Sequence, residues 1–335
     1  MAQARLMARA AGTRTALAFS LVLSLALTLV LALSLGTASP AAAQSPTDGP
    51  LPVPFDISAG VRAGVFPETP PPGANDWNCR PSAEHPYPVV LVNPTGTNQA
   101  LAWQAGAPLL KNAGYCVFTF NYGNPEWISE IPIQGLADIP SSARTLAATV
   151  DRVLAATGTE QVDLVGHSQG GGILPDYYLT QLGGAAKVHT KVGISPSTGT
   201  TMSEVVYLRS LIPLLGPAVY GSLAQATPAL TQQAVGSPLM RQVYPSGRPT
   251  GIDGVHVYSI ITRYDEVVTP YDQQFYRGSD VTNILLQDGC AADHSEHIST
   301  LYNERSWLFV LNALDPAHAQ PVPCFYQAPF APWVH

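Results

Sequence analysis

The sequence predicts an α/β fold with a mostly parallel central sheet that is flanked by helices and carries a helical cap region. From residue 77 onward, short apolar runs rich in β-forming residues alternate with helical stretches. Alternation of this kind is typical of a parallel sheet, because a helix returns the chain to the starting edge. A hydrophobic content of 46% in 335 residues is enough for one large core. A glycine-rich turn at 166–170, between a strand and a helix, is the third observation.

Three strands and two helices are predicted in the first half of this region. The strands are short apolar runs, and the two segments between them have helical character. The predicted elements, in chain order, are a strand at 88–93, a helix near 100–113, a strand at 115–121, a helix near 139–156 and a strand at 161–165.

The second half continues the alternation around one interruption. The predicted elements are a helix at 173–182, strands at 188–195, 255–261 and 281–286, and a final helix near 303–314. Pro175 lies inside the first of these helices and suggests a late start or a kink. Apolar helical pieces at 205–215 and 228–243 replace the alternation over 199–251. We interpret this segment as a helical cap over the carboxyl edge of the sheet, with ordinary core helices as the alternative.

Residues 1–43 have the pattern of a signal peptide. Three arginines precede an apolar run at 16–35, and alanines at 41–43 offer a cleavage site. We therefore expect secretion, with cleavage near Ala43. The apolar run is also long enough for a membrane anchor, but the small-residue site and the Pro-rich stretch after it favour release.

Residues 44–76 contain eight prolines and no helical period. Such a composition is typical of a linker or an extended arm. We expect an N-terminal arm here, followed by a single domain over 77–335.

Removal of residues 1–43 makes the chain more acidic. The full sequence has 16 Lys and Arg against 23 Asp and Glu, a net charge of −7. The first 43 residues hold three Arg and no acid, so 13 basic residues remain and the net charge becomes −10. An acidic chain disfavours nucleic acid as a partner, because nucleic acid needs a basic surface. A neutral, apolar substrate remains compatible.

Four cysteines, Cys79, Cys116, Cys290 and Cys324, are expected to form disulfides in a secreted chain. They allow three pairings. The pairs that are closest in sequence, Cys79–Cys116 and Cys290–Cys324, are preferred. No two cysteines have the CxxC spacing, which argues against a zinc site.

The turn at 166–170, Gly-His-Ser-Gln-Gly, makes Ser168 the candidate nucleophile. In a strand–turn–helix of this type, small neighbours permit a turn so tight that the serine hydroxyl stands above the sheet edge. The helix that follows directs its backbone N–H groups to the same point, where they can stabilise an oxyanion. The pentapeptide alone is a weak signal, but the flanking strand and helix make it a serious one.

A serine nucleophile needs a histidine base, and the histidine needs a carboxylate that fixes its tautomer. In this fold the partners follow the serine in the order Asp, then His, each on a loop after a strand. Asp265 follows the strand at 255–261 and is the preferred acid. Glu266 and Asp272 are weaker rivals, and an Asx-turn is the structural alternative.

Two histidines follow the last predicted strand. His297 is preferred to His294 as the base, because it leads into apolar residues and the final helix, where packing can hold its ring. The two histidines with Asp293 and Glu296 could also bind a metal, but the short loop lacks a further ligand. We expect neither a metal nor a cofactor.

An oxyanion hole needs two hydrogen-bond donors. The N–H of Gln169, directly after the nucleophile, is one candidate. The loop after the strand at 88–93 is placed to supply the other, from Thr95 or Thr97. The residues alone do not choose between these two, and a plain turn built from Asn-Pro and Gly is the structural alternative.

Five segments together resemble the Candida antarctica lipase B-like secreted lipases. In order and rough spacing they are the run at 91–97, Gly114-Tyr115-Cys116, Ser168-Gln169-Gly170-Gly171, the run at 264–268, and Cys290 with His297. The resemblance covers most of residues 77–325. His167 stands where the yeast enzyme has a tryptophan, and the bacterial members share this histidine, so the chain resembles them more closely.

This resemblance implies an α/β-hydrolase fold and a catalytic triad of Ser168, Asp265 and His297. It implies Thr95 and the N–H of Gln169 as the oxyanion hole, and the disulfides Cys79–Cys116 and Cys290–Cys324. It also implies a substrate contact by Gln233, in a segment that borders the acyl channel. Val267 would line the pocket beside Asp265, and His167 would shape the alcohol side.

The expected function is hydrolysis of lipophilic carboxylic esters, such as acylglycerols, through an acyl-enzyme on Ser168. We expect a secreted monomer that needs no nucleic acid and touches a lipid interface only transiently. A cutinase-like polyester hydrolase and an acyltransferase are the alternatives within enzymes. A non-catalytic surface or adhesion protein on the same fold is the alternative of a different class.

Overall fold

The computed structural model describes residues 49–199 and 216–329. Its centre is a sheet of six strands in the order β2-β1-β3-β4-β5-β6, and every neighbouring pair is parallel. The strands are β1 Val89–Val92, β2 Val117–Thr119, β3 Val162–His167, β4 Val188–Ile194, β5 His256–Ile261 and β6 Val281–Leu285. The predicted parallel sheet is therefore confirmed.

Nine α-helices lie in the described part of the chain. They are α1 Ile57–Ala63, α2 Gln99–Ala102, α3 Gly106–Asn112, α4 Ile139–Thr157, α5 Ile173–Gln181, α6 Gly216–Ala226, α7 Pro228–Gln232, α8 Pro238–Val243 and α9 Glu304–Leu314. Among the same residues, none of the helices has the length and apolarity that crossing a membrane requires.

Both faces of the sheet are buried, as the apolar strands predict for a parallel sheet. Side chains of β1 alternate between two core clusters: Val90 and Val92 belong to one, Val89 and Leu91 to the other. The first cluster includes residues of α4, α5 and α8, and the second includes residues of α3 and α9. This period of two holds β1 in register, with its carboxyl end beside that of β3.

Three local differences from the predictions have physical causes. The helix predicted near 100–113 is split into α2 and α3, and the second begins at Gly106, where a Cβ would lie 2.0 Å from the Trp307 ring. Pro175 falls in the first turn of α5, where its missing N–H has no helical partner to lose. The proline-rich arm contains α1, which the sequence analysis did not predict, and the Asp56 side chain caps it by accepting from Ser58 N.

The described part of the predicted cap consists of α6, α7 and α8, whereas the helical piece predicted at 205–215 lies outside the described residues. Ala229 of α7 and Met240 of α8 belong to the first core cluster, so these two helices also pack as ordinary core. Tyr244, directly after α8, donates to Asp176 Oδ2 at 2.6 Å, and the buried Lys191 Nζ lies 2.5 Å from Asp176 Oδ1. Through these two contacts, Asp176 of α5 connects the end of α8 to β4.

The four cysteines form the two preferred disulfides, Cys79–Cys116 and Cys290–Cys324. The first bond ties the start of the domain to the residue before β2. The second closes the segment that runs from the end of β6 past α9. Two disulfides fit an extracellular protein.

Candidate active site

Ser168 lies at the carboxyl end of β3, in the turn that the sequence predicted. Its φ of 53° is in the left-handed region, which is strained for a residue with a side chain and is typical of functional turns. A Cβ on Gly166 would lie 1.9 Å from the Gly170 carbonyl oxygen, and a Cβ on Gly170 would lie 2.0 Å from that of Val92. Only glycine fits at these two places, so the small residues of the motif are a packing requirement.

Asp265 and His297 meet at the carboxyl edge of the same sheet. His297 Nδ1 lies 2.8 Å from Asp265 Oδ2, and both residues are 5% exposed. A carboxylate only accepts hydrogen bonds, so Nδ1 carries the proton and Nε2 keeps its lone pair. An imidazole in this tautomer can take a proton from a nearby hydroxyl.

Three further donors hold the Asp265 carboxylate in place. Its Oδ1 accepts from the backbone N–H groups of Val267 at 3.0 Å and Val268 at 2.6 Å, and its Oδ2 accepts from Gln274 Nε2 at 3.0 Å. The bond to Val267 is the Asx-turn considered from the sequence, and it coexists with the bond to His297. The turn therefore orients the carboxylate.

The pKa of His297 is raised above its ordinary value by a balance of opposing effects. Burial lowers the pKa, but the charge of Asp265 and its hydrogen bond to Nδ1 raise it, and Glu266 and Glu296 add to the increase. The net effect is that this buried imidazole accepts a proton more readily than a free one.

The rivals of these two residues have other partners. Glu266 Oε2 accepts from the backbone N–H of His297 at 3.1 Å. Asp272 lies 3.3 Å from Arg248 Nη2. His294 stacks on Tyr264 with ring centroids 5.7 Å apart and lies 5.8 Å from the Tyr326 ring. Glu266 therefore holds the main chain of His297, while His294 packs among aromatic rings.

The two acidic residues of the alternative metal site bind neighbouring groups. Asp293 Oδ1 accepts from the Ser295 backbone N–H at 3.0 Å, and its Oδ2 accepts from Asn303 Nδ2 at 2.9 Å. Glu296 Oε2 accepts from the Ser299 hydroxyl. Within residues 49–199 and 216–329, no three side chains of metal-binding type come together.

Thr95 lies in the loop at 93–97, which we call the oxyanion loop. Its hydroxyl contacts the turn at 166–170, which we call the elbow. Thr95 Oγ1 accepts from Gln169 Nε2 at 2.8 Å and from Gln233 Nε2 at 3.0 Å. Thr97 Oγ1 instead donates to the Pro94 carbonyl at 3.1 Å, within the loop. The geometry thus separates two threonines between which the residues alone did not choose.

Of the substrate contacts that the resemblance implies, Gln233 and Val267 lie beside site residues. Gln233 is 2% exposed and also donates to the Ala229 carbonyl, so it joins α7 to the oxyanion loop. Val267 is half-buried beside Asp265. The role of each toward a substrate stays a prediction.

His167 is 2% exposed, and its ring points toward the loop that carries His297. Its Nε2 lies 2.8 Å from the His297 carbonyl oxygen, and the two rings are 5.0 Å apart. Because His167 is adjacent to Ser168, this contact brings the elbow next to the His297 loop. The predicted contribution of His167 to an alcohol pocket stays a prediction.

Two partners were missed by the sequence analysis. The Gln169 side chain binds the Gly135 carbonyl at 2.9 Å as well as Thr95, although only its backbone N–H was considered. Gln274, which supports Asp265, ends a 3₁₀ turn nine residues downstream. No local pattern marks either side chain, since each contact depends on how separate loops meet.

Comparison with known proteins supports the fold. The sequence profile of the alpha/beta hydrolase fold family matches residues 88–210. Aspergillus fumigatus lipase B is 22% identical with a TM-score of 0.53; the match covers 76% of this chain and 57% of that one. An enol-lactonase from Burkholderia xenovorans is 14% identical with a TM-score of 0.43, covering 70% of this chain and 93% of that one. A Bacillus licheniformis lipase in propeptide form is also 14% identical, with a TM-score of 0.47, covering 78% and 54%.

No curated protein sequence gives a significant match. The chain spans about 57% of the length of the Aspergillus fumigatus lipase, and the 22% identity to that protein shows the fold alone. Together with the six parallel strands and the turn after β3, the profile match leads to one conclusion. The chain has an α/β-hydrolase fold, with a parallel sheet flanked by helices.

Proposed function

We propose that this protein is a secreted serine hydrolase that cleaves lipophilic carboxylic esters, as a lipase or carboxylesterase. The observation that carries the proposal is the buried pair of His297 Nδ1 and Asp265 Oδ2, 2.8 Å apart, on the loops beside the strained Ser168. A serine hydroxyl at its free pKa is a poor nucleophile and needs such a base. This arrangement supplies the base in the required tautomer.

The proposed reaction has two steps. His297 Nε2 takes the Ser168 proton as Oγ attacks the ester carbonyl, and then returns the proton to the leaving alcohol. Water, activated by the same histidine, releases the acid from the acyl-enzyme. Asp265 orients the imidazole and stabilises its cation, while Thr95 and the N–H of Gln169 bind the oxyanion. No step needs a metal or cofactor.

The preference for a neutral, lipophilic ester rests on charge and on the surroundings of the loops. The net charge of −10 after removal of residues 1–43 would repel anionic substrates. Two large apolar side chains are exposed in segments that belong to, or contact, the described part of the cap: Val235, 50% exposed, follows Gln233 by two residues, and Trp127, 62% exposed, donates from its Nε1 to the Ala226 carbonyl of α6. Such side chains favour transient contact with a lipid interface, and the negative charge disfavours a nucleic-acid partner. We propose that the protein acts as a monomer.

Covalent labelling tests this function directly. We expect an alkyl p-nitrophenyl phosphonate to abolish hydrolysis of p-nitrophenyl esters at one equivalent, because the phosphorus accepts the same attack as an ester carbonyl. Peptide mass spectrometry should locate the adduct on Ser168. An enzyme with no esterase activity, or an adduct on another residue, would contradict the proposal. Parallel assays on polyester film and on alcohol acceptors distinguish a lipase from a polyester hydrolase or an acyltransferase.

Replacement of Thr95 by valine should lower kcat by about 10²–10³-fold, the usual effect of losing one oxyanion donor. Valine keeps the shape of threonine but cannot donate to the oxyanion. Thr97→Val is the matched control, since that hydroxyl already donates to the Pro94 carbonyl. Steady-state kinetics on a soluble ester would measure both variants. Equal losses in the two would count against Thr95 as a donor.

The raised pKa of His297 sets the acid side of the pH profile. The base must be neutral to act, so kcat/KM should fall as the pH drops through this pKa. Since Asp265, Glu266 and Glu296 together outweigh burial, the midpoint should lie above the ordinary value of 6.5. A pH series with circular dichroism at each point separates protonation from unfolding. A midpoint well below 6.5 would contradict this balance of charges.

A further inference from the structure

His167 makes contacts that the proposed reaction does not use. Its Nε2 lies 2.8 Å from the His297 carbonyl oxygen and 3.2 Å from Thr300 Oγ1, while its Nδ1 is buried without a hydrogen-bond partner. A buried polar atom without a partner is costly, and such atoms occur where another requirement prevails. The contacts of Nε2, and not those of Nδ1, therefore determine how the His167 ring is oriented.

The partners of Nε2 determine where the His167 proton is. A carbonyl oxygen only accepts, so Nε2 must carry the hydrogen. A neutral imidazole has one N–H. With that hydrogen on Nε2, Nδ1 of His167 carries no hydrogen and so needs no acceptor. Burial lowers the pKa of His167 well below its ordinary value, and the charge of His297 lowers it further. The ring is thus a neutral donor whose one hydrogen points at the main chain of His297.

Thr300 completes the contact. The Thr300 hydroxyl donates to the His297 carbonyl at 2.7 Å, so the Thr300 oxygen can still accept from His167. Ser195 Oγ lies 3.0 Å from Thr300 Oγ1. On the other side, Glu266 accepts from the His297 backbone N–H. His297 is therefore held by its backbone N–H, its carbonyl and its Nδ1. The residue that binds the carbonyl is His167, the last residue of β3, the strand that leads into Ser168.

We propose that His167 is a positioning residue whose Nε2–H fixes the main chain of His297 to the elbow, so that nucleophile and base keep one relative geometry. The inference rests on the proposed function, since it concerns the base of that reaction. It assigns His167 a role on the base side of the site, different from the alcohol pocket that the resemblance implies. A displacement of about 1 Å at such a site can cost about 10²-fold in rate.

The charge of His167 matters as well as its hydrogen bond. The groups that face His297 are the carboxylates Asp265, Glu266 and Glu296 and the His167 ring, 5.0 Å from its own. When His297 becomes a cation during the reaction, a neutral His167 adds no repulsion. Protonated His167 would add a like charge and a second N–H on the buried side where Nδ1 has no partner.

Two amide substitutions test the position of the donor. Gln can place its Nε2 near the site of the histidine Nε2, whereas Asn places its amide nitrogen near Nδ1. We expect H167Q to retain most of the kcat and H167N to lose about 10²-fold. KM should change little in either, because the contact is to His297 and not to substrate. His167→Leu, which has no donor, should behave like H167N.

The pH profile supplies a readout that general destabilisation would not move. In H167N the loosened His297 would be bound less well by Asp265, so the acid limb of kcat/KM should shift to lower pH. H167Q should keep the wild-type limb. Equal kcat and equal pH limbs in all variants would overturn the inference, as would a change in KM alone, which would favour the alcohol-pocket role.

Failure of the two proposals can be told apart. If the wild-type protein neither hydrolyses esters nor takes up the phosphonate on Ser168, the proposed function fails. If it does both and H167N remains fully active, only the positioning role fails. Thermal unfolding of each variant shows which of them are folded, and should H167L not fold, the Gln and Asn pair still decides the outcome.

Discussion

Replacing Ser168 by alanine should lower kcat by about 10⁴-fold or more, because members of a triad act as a unit and the histidine cannot compensate for a missing nucleophile. The residual rate would come from binding and from the oxyanion donors. Burst and steady-state assays with a p-nitrophenyl ester measure the effect. The variant should also lose all phosphonate labelling while it keeps the wild-type unfolding temperature.

Ser197 offers a matched control for this substitution. Its backbone N–H donates to the Ser168 carbonyl at 2.9 Å, and its own hydroxyl is buried without a partner. Ser197→Ala therefore removes a hydroxyl in the same neighbourhood without removing a hydrogen bond. It should leave kcat near that of the wild type. Full activity in the Ser168 variant would exclude this serine as the nucleophile.

The second large effect is expected for His297→Ala, which removes the base and leaves Asp265 without its buried partner. The loss in kcat should again be about 10⁴-fold or more, since the serine then has no proton acceptor. His294→Ala is the control, because that ring packs against Tyr264 and Tyr326. It should reduce stability at most, and leave the pH profile unchanged.

If His294→Ala lost the rate and His297→Ala kept it, His294 would be identified as the base. Loss of the rate in both variants, with both proteins folded, would indicate that the loop as a whole is needed. Imidazole added to the His297 variant provides a further check, because a small base can enter the space that the side chain leaves. A partial return of activity would tie the loss to the missing base.

The parallel sheet and the succession of strands and helices along the chain could be predicted because their signals are local. The run at 89–92 is apolar on both faces, and a strand that is buried on both sides is the element that tolerates this. The elbow was equally visible, since Gly166 and Gly170 are demanded by contacts with their immediate surroundings. The positions of Asp265 and His297 followed from the rule that partners lie on loops after strands.

Contacts between distant loops could not be predicted. The sequence did not distinguish Thr95 from Thr97 as the oxyanion donor. The folded loop shows that the Thr95 hydroxyl accepts from Gln169, whereas the Thr97 hydroxyl donates to the Pro94 carbonyl. His167 was considered for its place beside the nucleophile, whereas its partner lies 130 residues away. The helix α1 was hidden among prolines because its stability comes from the Asp56 cap and packing, not from an apolar period.

The Cys290–Cys324 bond encloses His297, Asn303 and α9 in one covalent loop whose ends are separated by 34 positions in the sequence. Ser168 and Asp265 lie outside it. In a loop-entropy treatment, a closure of this length is worth about 4 kcal/mol. An oxidising environment, which the proposed secretion would supply, thus becomes a condition for holding the part of the site that carries the base. Production in a reducing cytosol would give chains in which the elbow is formed but His297 is less firmly held. The amount of folded protein would then exceed the amount of active protein.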